Sequence, residues 1–185
     1  MKKYKLTSET TGCDGFILYR IEALMDFSDV KTGDKGGFVQ SENNLSQLGN
    51  AWVYGNAKVC GKAEVRGDAN VCGNAEVCGD AEVFGNAKVC GNASVYGNAK
   101  VFDYAEVRGD AKVYKNSDYI VFKNWWSSGR YFTWTRSNKM WKVGCFYGNG
   151  KELIKKAYAD SEESGREYER VVKYVESILA DELNR

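Results

Sequence analysis

The sequence predicts a mainly β chain: a parallel solenoid, preceded by a cap and followed by a small α+β domain. Three observations carry this. From Gly49 to Tyr114 the chain runs through eleven six-residue units, with alanine third and valine fifth in each, from Ala51 and Val53 to Ala111 and Val113. A period that strict marks a repeat architecture. Beyond it, Tyr119–Trp126, Arg130–Thr135 and Met140–Phe146 are three runs rich in aromatic and β-branched residues, separated by Ser-Ser-Gly and Ser-Asn-Lys turns. From Arg166 onward, Tyr168, Val171, Val172, Val175, Ile178 and Leu179 recur at helical spacing. The divisions expected are a cap and irregular first coil over 1–48, the repeat over 49–118 and the α+β domain over 119–185.

In the first segment, Phe16–Ile21 reads as a strand and Lys31–Gly37 as a turn-rich stretch, together a cap for the first coil. Such a cap is physically required, because a solenoid end exposes strand edges and an open interior. Val39 and Leu45 continue the alanine phase upstream at six-residue spacing, which predicts an irregular first coil.

Within each hexad, Ala and Val stand two residues apart, so in an extended strand both face one side. They line the interior. The Gly-Asn or Gly-Asp pairs tolerate positive φ and mark corners. Lys62, Asp103 and Tyr104 depart from the pattern at such corners.

In the last segment the three runs predict a three-stranded meander, with helices over Lys151–Ala159 and from Arg166 onward covering one face. Gly148-Asn149-Gly150 reads as a helix-entry turn in preference to an anion cradle.

The hexads resemble those of the hexapeptide-repeat, left-handed parallel β-helix family, over all eleven units. The resemblance implies a triangular section with 18 residues per coil, hence about four coils. Residues 18 apart then stack on the outer walls about 4.8 Å from one another. The outward ladders are Cys60, Cys78, Tyr96, Tyr114; then Tyr54, Cys72, Cys90, Arg108; and Arg66, Phe84, Phe102, Ile120. They are apolar enough to need covering. A homotrimer, which the resemblance implies, would bury Phe84, Phe102, Tyr96, Tyr114, Cys60 and Cys78; folded-back terminal segments are the other cover, and sequence does not choose. The stacked pairs Cys60/Cys78 and Cys72/Cys90 fall within disulfide range, but in-register parallel side chains and the expected reducing compartment predict free, wall-filling thiols.

The flanks LYRIEALMDFSDVKTGDKGGFV and GCFYGNGKELIKKAYADSEESGREYERVVKYVESI resemble phage- and prophage-encoded hexapeptide-repeat proteins of bacteria, often labelled polymer-forming. This resemblance implies a phage-related role in the bacterial cytoplasm. No apolar run of membrane-spanning length occurs, so no membrane partner is expected.

Composition narrows the function. A formal charge of +1 provides no global field for nucleic acid. The excess is local: Lys115–Lys151 holds seven basic residues against Asp118 alone. Interleaved aromatics make Arg130, Arg136, Lys139, Lys142, Trp125 and Trp134 candidates for binding a partner or nucleic acid. The plainer reading, that half the aromatics form the domain core, weighs somewhat more.

There is no histidine. Hexapeptide acyltransferases rely on a histidine base and the related carbonic anhydrases on histidine ligands, so neither chemistry finds its residues here. Isolated Cys13 or Cys145 lacks a base. The expectation is a protein without catalytic residues, metal or cofactor, and with no small-molecule substrate. It would oligomerise through its β-helix and engage a host bacterial protein or nucleic-acid complex as a scaffold or defence inhibitor. A self-assembling structural polymer and an atypical acyltransferase-like protein are the alternatives.

Overall fold

The hexad shapes the middle of the molecule. In the computed structural model, which describes residues 2–183, each hexad yields one two-residue strand. After β1 (Tyr4–Cys13), β2 (Phe16–Ala23) and β3 (Lys35–Val39), the hexad strands are β4 (Trp52–Val53), β5 (Lys58–Val59), β6 (Glu64–Val65), β7 (Asn70–Val71), β8 (Glu76–Val77), β9 (Glu82–Val83), β10 (Lys88–Val89), β11 (Ser94–Val95), β12 (Lys100–Val101), β13 (Glu106–Val107) and β14 (Lys112–Val113). Every third strand pairs in parallel, valine on valine, as Val59 on Val77 and Val77 on Val95. Three walls result: β3-β5-β8-β11-β14, β4-β7-β10-β13 and β6-β9-β12. The alanines and valines of all eleven hexads are fully buried between them.

Corners demand glycine twice over. Gly73 has φ 73°, and a Cβ there would stand 2.9 Å from the carbonyl oxygen of Gly91 in the next coil. Asp103 takes this corner position as a non-glycine, with φ 55°.

The first coil is irregular, as expected, but its phase differs from the expected one. Val39 and Leu45 stack on Val59 and Val65, so they belong with the valines in space although alanines continue their spacing in sequence. The corner between Leu45 and Trp52 holds two extra residues, and an even slip leaves every side chain on its own face.

At the N-terminal end, β2 pairs antiparallel with β3, and β1 with β2, so the first wall continues as a hairpin. β1 was not legible as a strand: it is polar and mostly exposed, and its pairing is through the backbone. Tyr4, Ile21, Ala23 and Val30 plug the open interior beside Trp52. Carbonyls of the first regular coil accept from side chains of the cap. Lys3 Nζ donates to Ala51 O at 2.9 Å, Asn44 Nδ2 to Ala63 O at 2.9 Å, and Arg20 to Gly55 O at 3.1 Å.

At the C-terminal end stands a four-stranded antiparallel sheet: β15 (Tyr119–Lys123), β16 (Tyr131–Thr135), β17 (Met140–Val143) and β18 (Phe146–Gly148). The predicted meander had three strands. Its last run breaks at Gly144, whose φ of 53° turns the chain, and Phe146–Gly148 pairs back on β17. Helices α1 (Gly150–Asp160) and α2 (Glu162–Leu183) follow. Asn149 caps α1, accepting from Glu152 N while the Glu152 carboxylate accepts from Asn149 N.

The sheet lies between two layers. Phe132, Trp134, Trp141 and Val143 face the helices and form a core with Leu153, Val172 and Val175. The alternate residues face the last coil: Tyr119 and Val121 pack on the solenoid interior, and Thr133 Oγ1 accepts from Glu106 N at 2.9 Å.

The cysteines correct the expectation of free wall thiols. Cys60–Cys78 and Cys72–Cys90 are bonded as disulfides. One coil of rise sets their Cα atoms 4.7 and 4.6 Å apart, inside the bonding window, and parallel stacking does not prevent it. Cys13 and Cys145 are free.

Candidate interaction surfaces

Because the sheet is a middle layer, its basic and aromatic residues do not share one open face. Trp134 is 2% exposed in the helix-facing core. Lys142 is buried against the last coil, its Nζ donating to Gly144 O and lying 3.5 Å from the Glu106 carboxylate. Arg136 is half-buried and forked onto Glu182, while its Nε donates to Ser117 O at 3.2 Å. These three candidates therefore have intramolecular partners. Arg130, Lys139 and Trp125 remain exposed, Trp125 by 77%. Alternation along a strand was visible in the sequence, but not that both faces of the sheet are covered.

A feature absent from the candidate set is better placed. At the one corner where Asp103-Tyr104 replaces Gly-Asn, Tyr104 swings onto Tyr131, ring centroids 4.4 Å apart and nearly parallel. Tyr104 remains 48% exposed. Tyr131 lines a cleft of about 500 Å³ together with Phe102, Asp103, Asn116, Tyr119 and Lys123. Tyr104 and Tyr131 both line a second cleft of about 360 Å³, which includes Lys88, Glu106 and Arg130. Lys123 Nζ sits 5.9 Å from the Tyr131 ring centroid. The signal in the sequence was the broken corner itself.

The walls differ in cover. The first wall is overlaid near its start by the tip of the β1–β2 hairpin: Cys13 and Leu18 pack with Phe38, Cys60, Cys78 and Tyr96. Cys60 and Cys78 are thus buried within the chain, so folded-back terminal residues cover this part of the wall. Farther along, Tyr96 and Tyr114 stack at 5.9 Å, and Tyr114 is 54% exposed. Tyr96 donates to Glu76 at 2.7 Å, and burial together with that bond pushes its phenol above the ordinary range.

On the third wall, Phe84 and Phe102 stack at 5.3 Å, with the Arg66 guanidinium 4.2 Å from the Phe84 centroid. Glu64 falls beside Glu82. Lys100 at 2.6 Å and Arg66 at 2.8 Å neutralise Glu82 and hold its carboxyl below the usual range. Lys58 pairs with Glu76 at 3.3 Å, whereas Glu106, in register beside Lys88, pairs with Arg108 and Lys142.

No helix among the described residues is long and apolar enough to cross a membrane. No family model matches the chain. A protein of Escherichia coli (strain K12) named Uncharacterized acetyltransferase YdcK is 39% identical over 62 residues, covering 29% of this chain and 19% of its own length. The chain thus matches about a fifth of that relative. Together with the hexads and the three parallel walls, the match supports a hexapeptide-repeat-like β-solenoid.

Proposed function

We propose that this chain is a non-catalytic scaffold that self-associates through its exposed walls and engages a host bacterial macromolecule at the junction of solenoid and C-terminal sheet. The Tyr104–Tyr131 stack carries this reading: the repeat breaks its own rule at Asp103-Tyr104 to set an exposed Tyr104 on the half-buried Tyr131, whose ring lines two clefts, with Lys123 and Arg130 alongside. Flat aromatic faces beside cations suit a nucleobase or a planar protein side chain. The resemblance of the flanks to phage-encoded proteins supports a role against a bacterial defence or nucleic-acid-processing system. The Phe84–Phe102 ladder, Phe102 being 38% exposed, supports association through the third wall, with a trimer as the expected state. Capped ends weigh against end-to-end polymerisation.

The test is capture of a partner from bacterial lysate, with and without nuclease, comparing wild type with Tyr104→Ala and Arg130→Glu. A partner lost by both variants, while circular dichroism is unchanged, supports the reading. Equal capture by all three overturns it. Light scattering of Phe84→Glu reads the association separately, and long particles in negative stain would favour the polymer.

The match to a protein named as an acetyltransferase favours a second reading, an atypical acyltransferase. Without histidine the base must be another group. Steady hydrolysis of acetyl-coenzyme A by purified protein would establish it.

A further inference from the structure

The tip of the β1–β2 hairpin brings a thiol and a carboxylate onto a pair of cysteines from the wall. Cys13 ends β1, and Asp14 follows in the turn with φ 49°. Cys60 and Cys78 stand one coil apart beneath them. One donor atom from each of Cys13, Asp14, Cys60 and Cys78 can be chosen such that all four lie within 4.8 Å of one another. Cys13 Sγ is 3.8 Å from Cys78 Sγ. The three cysteines are buried and Asp14 is exposed, so the group has a closed side and an open side.

Two chemistries could use a third sulfur beside a disulfide. Exchange requires the thiolate to approach along the S–S axis. An in-line Cys13 would stand about 5.9 Å from Cys60 Sγ, the sum of its separation from Cys78 and an ordinary S–S bond. Its actual separation is no more than 4.8 Å. Cys13 therefore flanks the bond, and the three sulfurs form a triangle. A triangle of sulfurs with an oxygen on the open side is the donor arrangement of a tetrahedral site: at a Zn–S distance of about 2.3 Å, tetrahedral sulfurs stand about 3.8 Å apart. Three thiolates and a carboxylate select a thiophilic d¹⁰ ion over calcium or magnesium.

We propose that, once the Cys60–Cys78 bond is reduced, Cys13, Cys60, Cys78 and Asp14 bind one Zn²⁺ and clip the hairpin to the first wall. A dithiol reductant supplies two electrons and two protons, leaving as its own disulfide while Cys60 and Cys78 become thiols. Zn²⁺ then displaces the three thiol protons to solvent. The Cys72–Cys90 pair belongs to no such cluster among the described residues. The same sulfurs thus serve as a disulfide when oxidised and as a zinc site when reduced.

The experiment is anaerobic titration of the full chain with Co²⁺ alone, after reduction by a phosphine and removal of metal. Expected are one equivalent bound, thiolate-to-cobalt charge transfer and the visible bands of tetrahedral cobalt, all lost on adding Zn²⁺. Oxidised wild type, the same chain with the bond intact, should show none of these. Cys13→Ser should weaken Co²⁺ binding more than about a hundredfold, since a ligand counts for more than its outer partner, whereas Cys72→Ser should titrate as wild type. Absence of the bands in reduced, folded wild type overturns the proposal, as does a Cys13→Ser titration equal to wild type. If Cys13→Ser does not fold, Asp14→Asn at the exposed turn decides: it should weaken Co²⁺ binding about tenfold or more, whereas a titration equal to wild type overturns the site.

Discussion

The two ends of the solenoid pose the same problem and solve it differently. At the N-terminal end the first wall continues: β3, β2 and β1 add backbone hydrogen bonds outward, and long donors such as Lys3 and Arg20 reach the carbonyls left over. At the C-terminal end a separate sheet is laid against the last coil, and short neutral side chains meet its amides one by one: Asn116 for Lys100, Thr133 for Glu106, Ser137 for Lys112. Carbonyls there accept from Tyr119 and Tyr147. The first end is an extension and the second is a lid. An extension shares its core with the coils, whereas the lid keeps a core of its own, so damage should spread differently from each.

Large-to-small changes test this first. Trp52→Ala, at a fully buried residue touching Tyr4 and Phe27, should cost about 3–5 kcal/mol and lower hydrogen-exchange protection along the coils. Trp134→Ala should cost about as much in its own core, yet leave amides of the early coils protected. Equal loss of protection along the whole chain in both variants would break the distinction.

Single caps come next. Thr133→Val leaves the Glu106 amide unpaired and should cost about 1–3 kcal/mol in urea unfolding. Lys3→Met also orphans carbonyls, but it removes a buried cation, so its net loss at neutral pH should be smaller.

The same lysine gives a pH signature. Burial lowers Lys3 from 10.5 to about 8, partly countered by Asp68. Between these values the unfolded chain binds the proton and the folded chain does not, so stability should climb as pH rises from about 8. Above about 10, tyrosines held neutral by burial, Tyr4 and Tyr96 among them, reverse the slope. Urea midpoints from pH 7 to 11 would show the rise in wild type and its absence in Lys3→Met. The smallest effect is expected at Asp103→Gly, where relief of positive φ should stabilise by no more than about 1 kcal/mol, read as a small rise in Tm.

The asymmetry also explains what was legible. The hexads announce their strands because each alanine and valine meets the same neighbours in every coil. The second helix announces itself through Val171, Val172 and Val175, whose burial follows their spacing. The caps do not repeat, and they are held by single polar contacts: Asn44, Asn116 and Thr133 look like ordinary surface residues until the coil edge they serve is known. β1 carries no apolar stripe. Of the candidate residues, Arg130, Lys139 and Trp125 lie on the surface, whereas Lys142 and Trp134 are hidden by two different layers on the same sheet. The cysteine cluster depends on residues 65 positions apart meeting at a hairpin tip, which no local pattern encodes.

The uniform hexad makes the distance and bearing between the two ends adjustable in discrete steps. Duplicating three hexads would lift the lid by about 4.8 Å and return it to the same wall. Duplicating one would turn it by a third of a revolution and set the tyrosine pair above a different side of the prism. The repeat is therefore a ruler and a compass at once, and the number of hexads fixes where the hairpin tip at one end stands relative to the clefts at the other.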